Sequence, residues 1–140
     1  MLNASVGYLD TEYTDLRNSG SAPANGSIPK SPEWNLTAGV QYAWEIARKG
    51  SVIARADYSY KTDYFNDVSN SPLIEQEAFG LLNVRLVYAP LSDRWELALF
   101  ATNLGDEEYL EHGFASLAAG VATGIAGRPR EWGVTFQYRF

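Results

Sequence analysis

His112 is the single histidine of the chain, and so the one side chain whose ordinary pKa suits proton transfer near neutrality. Glu108 and Glu111 flank it at ligand-like spacing only if that stretch is helical, and a metal site needs three or four convergent ligands. Ser116 and the other serines lie in no Gly-x-Ser-x-Gly elbow. Gly120, Gly124 and Gly127 miss the Gly-x-Gly-x-x-Gly spacing, and no strand leads into a helix there, so the stretch reads as a flexible or tightly packed loop. Asp63, Asn66 and Asp67 could hold calcium weakly, but the glycine and distal glutamate of a paired-helix calcium loop are missing. The expectation is no catalytic residue, no metal and no cofactor.

Composition narrows the partners. The formal net charge is -6, which leaves no basic stripe to displace counterions from phosphates, so nucleic acid is not expected. There are no cysteines, which excludes disulfide staples and thiolate metal sites. Aromatics reach 14%, with nine Tyr, four Trp and six Phe, many of them rings with an apolar body and a polar tip. Such rings suit a membrane–water boundary. No apolar run approaches the roughly 18 residues of a membrane helix, and the nearest, Phe114 to Ala126, is a mixture of Ala, Gly, Ser and Thr.

What positions these residues is a set of alternating segments. In a strand, successive side chains point to opposite faces, so a period of two divides each segment into an oily and a wet side. The chain offers six such segments. Leu2, Ala4, Val6 and Tyr8 oppose Asn3, Ser5 and Gly7. Leu36, Ala38, Val40, Tyr42 and Trp44 oppose Asn35, Thr37, Gly39 and Gln41. Val52, Ala54, Ala56, Tyr58 and Tyr60 oppose Arg55, Asp57, Ser59 and Lys61, with Ile53 as exception. Leu82, Val84, Leu86 and Tyr88 oppose Asn83 and Arg85, though Leu81 and Val87 blur the pattern. Trp95, Leu97, Leu99 and Ala101 oppose Glu96 and Thr102, with Ala98 and Phe100 on the wrong side. Finally Trp132, Val134, Phe136, Tyr138 and Phe140 oppose Glu131, Thr135, Gln137 and Arg139.

The connections alternate as well. Glu45 to Gly50 and Ala89 to Arg94 are short and turn-like, whereas Asp15 to Glu33, Thr62 to Ala78 and Leu104 to Pro129 are long. Long loops thus gather at one edge and short turns at the other, the asymmetry of a transmembrane barrel. Tyr42, Trp44, Tyr88, Trp95, Tyr138 and Phe140 form a belt near the short turns. Tyr8, Tyr13, Trp34, Tyr58, Tyr60 and Tyr64 form a second toward the long loops. The competing reading is a soluble antiparallel sheet packed on another layer, but no helix-periodic segment supplies that layer.

Three stretches carry a family resemblance. Asn3 to Asp15 resembles an ascending strand entering a long loop. Leu82 to Tyr88 followed by Trp95 to Tyr109 is similar to a penultimate hairpin with its Asn-Leu-x-Asp-x-x-Tyr corner. Gly127-Arg128-Pro129-Arg130 and the final strand resemble a closing segment. All three resemble the carboxyl-terminal part of TonB-dependent outer-membrane receptors. The resemblance implies an all-β fold: an antiparallel meander of about six transmembrane strands, forming part of the wall of a barrel of about 22.

It further implies residence in the outer membrane of a Gram-negative bacterium and import of siderophore-bound iron, cobalamin or carbohydrate. The implied partners are membrane lipid, the rest of the barrel with its plug, TonB acting through an amino-terminal part that has no counterpart here, and the barrel-assembly machinery. Residues 1–140 are expected to be a fragment of the barrel domain, with no plug and no leader peptide. On this reading Arg55, Asp57, Lys61, Asn83, Arg85, Glu96, Gln137 and Arg139 face the lumen. Gly133, Phe136, Tyr138 and Phe140 carry the signal for barrel assembly, and the loop aromatics Trp34, Tyr64, Phe65, Tyr109 and Phe114 are candidate ligand contacts. The alternative is a smaller outer-membrane barrel serving as a passive pore or adhesin. An outer-membrane lipase would need a Ser–His pair at the rim, which His112 does not offer.

Overall fold

A computed structural model describes residues 1–13 and 26–140. Its main sheet has six strands: β1 Leu2–Tyr8, β2 Trp34–Ile46, β3 Gly50–Lys61, β6 Phe79–Ala89, β7 Trp95–Thr102 and β10 Glu131–Tyr138. They pair antiparallel in that order, as an open meander with β1 and β10 at its edges. Two small hairpins stand in the long connections. One joins β4 Tyr64–Phe65 to β5 Glu75–Gln76, and the other joins β8 Leu110–Ser116 to β9 Val121–Ala126. Single 3-10 turns at Pro72–Ile74 and Leu117–Ala119 lie within them. Of the long connection Asp15 to Glu33, the part up to residue 25 lies outside the described residues.

The short turns follow from local chemistry. Lys49 N–H donates to the Ile46 carbonyl at 2.8 Å, with Arg48 at φ 60° and Gly50 at φ 127°, so two positive-φ positions flanking Lys49 reverse β2 into β3. Between β6 and β7, Asp93 N–H donates to the Pro90 carbonyl at 2.9 Å, and Asp93 takes φ 50°. Proline pre-sets the first corner and aspartate tolerates the left-handed one.

Cross-strand partners share a face. One row reads Tyr42, Ala54, Leu86, Leu99, Val134, and its neighbour Val40, Ala56, Val84, Ala101, Trp132. Among the described residues no protein layer covers this face: Val40 is 50% exposed, Val134 58% and Trp132 80%. The buried apolar side chains described are Ile74, Phe79, Ala98 and Ala115, none of them on it. A water-soluble sheet would leave that area at a cost of roughly 25 cal/mol per Å².

The opposite face is not uniformly polar. Ile53, Val87 and Ala98, irregularities in the alternation, fall into one register row that continues to Ala43 on one side and Thr135 on the other. Phe100 faces Gly133 across the β7–β10 pair, and a Cβ on that glycine would stand 2.6 Å from the Phe100 ring. The ring therefore fills a notch that glycine leaves open. Next to this strip, Arg55 grips Asp57 through two hydrogen bonds of 2.6 and 2.8 Å.

The glycine-rich stretch after His112 differs from its reading as a loop. It forms the β8–β9 hairpin, and Gly113 is buried, with room only for glycine because a side chain there would meet Ile74 Cβ at 2.8 Å. Glu111 and His112 lie on a strand, so no helix brings Glu108 and His112 to one side.

Candidate functional site

Most of the buried residues, Ala98 excepted, gather at the long-loop edge, where two sequence motifs meet in one clamp. Asn103, at φ 48° and 4% exposed, ends β7 in a left-handed corner. Its N–H donates to Asn83 Oδ1 at 2.9 Å, its Oδ1 accepts from Glu107 N–H at 2.9 Å, and its Nδ2 donates to the carbonyls of Glu107 and Arg128 at 2.9 and 3.1 Å. Asparagine alone combines a tolerated left-handed backbone with an amide able to serve all these partners. Six residues on, the Tyr109 ring stacks on Phe79 with centroids 4.8 Å apart at 8°. The ring also lies against Gly127, where any Cβ would collide with it. Asp106 Oδ1 accepts from Arg130 N–H at 2.9 Å. The Asn103–Tyr109 corner and Gly127–Arg130 thus bind one another and fix where β10 begins.

Over this clamp the loops share a small polar core. Gln76 Oε1 accepts from Leu110 N–H, and Asn66 Nδ2 donates to the Ile74 carbonyl at 2.9 Å. Asp67 Oδ1 accepts from Ser69 N–H at 2.9 Å and Ser69 Oγ at 2.5 Å, while its Oδ2 accepts Ala115 N–H at 2.8 Å. Through these bonds the Asp67 carboxylate is a strut between the two hairpins. The segment after Gly26 joins through Asn70, which bonds both the N–H and the carbonyl of Ser27 at 2.7 and 3.0 Å.

Burial works against ionisation of Asp67, but the donors Ser69 and Ala115, with the nearby His112, outweigh it and hold the carboxyl below its usual range. A group whose folded pKa is depressed contributes stability above its unfolded value and loses it as pH falls through the folded one. Docking of β8–β9 on the β4–β5 loop is therefore expected to be constant from pH 7 down to the ordinary carboxylate range and to loosen below it. Asp67→Asn should show loosened docking already at pH 7. Amide hydrogen exchange at Ala115 measures both, and pH-independent protection in the wild type would contradict the strut.

Two hollows flank Tyr109 and Leu110. The larger, about 800 Å³, is lined by Glu75, Glu77, Asp106, Glu107 and Glu108, and repels anions. The smaller, about 340 Å³, opens on the polar face of the sheet through Ser59 and Leu81, with Lys30, Lys61, Tyr64 and Tyr109 around it and Glu111 as its one acid. Lys30 Nζ is held by the Glu111 carbonyl at 3.1 Å. Burial, then the neighbouring Tyr109, raises the Tyr64 phenol above its ordinary value, so it remains a hydrogen-bond donor at neutral pH. Two ammonium groups and phenol donors can receive carboxylate or phenolate oxygens through charge-assisted hydrogen bonds.

The aromatics singled out by sequence occupy different places. Tyr64 and Tyr109 border the smaller hollow, with Tyr109 clamped between Phe79 and Gly127. Trp34 lies on the apolar face against Tyr8, with centroids 4.8 Å apart. Phe65 is half-buried in β4, where its carbonyl accepts Lys30 N–H at 2.8 Å. Phe114 is 55% exposed on β8. Tyr58 lies across Gly80 and Tyr60 pairs with it, both on the apolar face.

Near the short turns Tyr42–Trp44, Tyr88–Trp95, Trp95–Phe136 and Tyr138–Phe140 form ring pairs with centroids 4.6–6.0 Å apart. Arg55, Asp57, Lys61, Asn83, Arg85, Glu96 and Gln137 share the polar face with Gly133. Arg139 pairs with Asp93 and Glu96 at 3.4 and 3.6 Å. Lys30, Gln76 and Asn103 escaped sequence reading as site residues; only Asn103 had a signal, its place in the corner motif.

The chain matches the family model described as TonB dependent receptor-like, beta-barrel, over residues 1–104. Among solved structures, it is similar to the ferric yersiniabactin uptake receptor FyuA from Yersinia pestis, with a TM-score of 0.72 at 18% identity over 81% of this chain. The matched part spans 17% of that receptor's length.

Proposed function

The chain belongs to the TonB-dependent receptor-like β-barrel family, and from that premise we propose that it builds part of the wall of a larger outer-membrane barrel that imports a scarce small-molecule nutrient. Proteins of this family are transporters, not enzymes. The observation that carries the proposal is the uncovered apolar face, bounded at both edges by aromatic rings. Hydrocarbon covers it, and the polar face lines the lumen. The unpaired backbone of β1 and β10 fits the same account, because an open edge in lipid costs several kcal/mol per unsatisfied group. Residues 1–140 are then a fragment of a barrel domain, and the strands that close it, the plug and the TonB contact belong to other residues of the same protein. Its place is the outer membrane of a Gram-negative cell, with Gly133, Phe136, Tyr138 and Phe140 presented to the assembly machinery.

Within this reading, the smaller hollow favours an anionic chelate, siderophore-bound iron, over carbohydrate or cobalamin. Lys30 and Lys61 stand where the loops meet the lumen wall and offer charge-assisted donors, and an iron-chelate importer shares the fold. Uptake of radio-iron chelates by cells expressing the full gene product tests this. The double variant Lys30→Gln/Lys61→Gln is expected to lose at least about tenfold in uptake at unchanged surface display, as two charge-assisted contacts would predict. A protonophore should abolish wild-type uptake, whereas a passive pore would ignore it. Uptake indifferent to both lysines would overturn the cargo assignment.

A further inference from the structure

The two edges of the sheet carry opposite charge. Toward the long loops stand Asp63, Glu75, Glu77, Asp106, Glu107 and Glu108, which outnumber Lys30, Lys61, Arg128 and Arg130 there. At the short turns the balance reverses. Arg48 and Lys49 cap the β2–β3 turn, Arg94 caps the β6–β7 turn, all three exposed, and among the described residues none has a carboxylate within salt-bridge distance. Of the acids on that side, Asp93 and Glu96 are occupied by Arg139, and Glu45, which lines the same hollow as Arg48, is not within salt-bridge distance of any of the three.

These turns lie side by side, because β3 and β6 pair as far as Ser51 and Ala89, and Gly50 presses directly on the Ala89 carbonyl. A hollow of about 320 Å³ lies between them, with Arg48, Pro90 and Leu91 in its lining beside the acids Glu45 and Asp93. The turns are also tied to the aromatic belt: Tyr88 Oη donates to the Lys49 carbonyl at 2.8 Å, and the Tyr88 ring stands edge-on to Trp95 at 5.6 Å. Cations are therefore fixed at the level of the rings, where headgroups begin.

We propose that this edge is a docking surface for anionic phospholipid, whose headgroup phosphates meet Arg48, Lys49 and Arg94 while its acyl chains lie along Trp44, Tyr88 and Trp95. The inference rests on the membrane reading above and goes beyond it by naming which lipid sits at one edge. Basic residues next to a bilayer surface attract anionic headgroups additively, and salt screens the attraction. At the long-loop edge acids outnumber cations, so the same lipid is favoured at the short turns.

The test uses the full gene product in vesicles of one composition, half phosphatidylglycerol and half phosphatidylcholine, with bromine on the acyl chains of one lipid or the other. Fluorescence lost on Trp44→Phe/Trp95→Phe isolates the signal of these two rings. Quenching by brominated phosphatidylglycerol is expected to exceed that by brominated phosphatidylcholine at least about threefold, three cations each contributing. The ratio should fall to one in 0.5 M salt, on the order of a 4 Å Debye length, and in Arg48→Asn/Lys49→Gln/Arg94→Gln. A wild-type ratio of one, or a ratio the triple variant leaves unchanged, overturns the lipid assignment while the girdle stands. Absence of quenching by either lipid removes the girdle, and the inference with it.

Discussion

Leu86→Arg should destabilise the folded barrel by about 2–4 kcal/mol, the cost of a guanidinium at mid-membrane on the lipid face. Leu86 lies on the third of the six strands from the β10 edge, and its cross-strand partners are Ala54 and Leu99, both on the uncovered apolar face. No carboxylate shares that row to receive the guanidinium. The matched control is Thr37→Arg. Thr37 pairs with Ser5 and Ser59 on the opposite face, where water and other polar groups receive the charge, so its effect should stay within about 0.5 kcal/mol. Urea titration of the reconstituted gene product, followed by tryptophan fluorescence, measures both. Equal sensitivity of the two positions would mean that the faces are wrongly assigned, and with them the account of what is lipid and what is lumen.

Gly50→Val is expected to be more severe at the level of assembly. Gly50 takes φ 127°, which any side chain strains by roughly 1–3 kcal/mol. A Cβ there would also run into the Ala89 carbonyl and stand 2.6 Å from Pro90 Cα, and both are backbone atoms that cannot swing aside. The turn must therefore part from β6, which opens the centre of the sheet where β3 and β6 pair from Ser51 to Lys61 against Ala89 to Phe79. The prediction is loss of the heat-modifiable folded band on a cold gel and degradation in the cell. Gly105→Ala, where an added Cβ meets nothing within 4 Å and the backbone has no positive φ, should migrate like the wild type. A folded Gly50→Val protein at normal abundance would show that the two turns are not in fact locked together.

Much of this architecture was legible because a period of two is a local property. Trp132, Val134, Phe136 and Tyr138 declare their face without knowing their neighbours, and the observed rows place them with Ala101, Leu99, Leu97 and Trp95. The turns were equally local, since Pro90 and Gly50 act through their own backbone angles. The β8–β9 hairpin was not legible. Val121-Ala122-Thr123-Gly124-Ile125-Ala126 has no polar alternation, and what makes it a strand is distant: Ile74 and Asn66 receiving Gly113, and Asp67 receiving the Ala115 N–H. The residues that break the alternation failed for a related reason. Ile53, Val87 and Ala98 look like noise in three separate strands and become one strip only when the register is known.

By itself the sequence determined that the chain is a meander of amphipathic strands with rings at both ends and unequal loops, because side-chain alternation, turn geometry and aromatic placement are each written in a few adjacent residues. Only the tertiary structure decided that Tyr109 is a clamped anchor and Asn103 the joint of two motifs, that Lys30 meets Lys61 at one hollow, and that Arg48, Lys49 and Arg94 share an edge. Those facts depend on contacts between residues dozens of positions apart, and such contacts are fixed by strand register and loop packing, which no local pattern encodes.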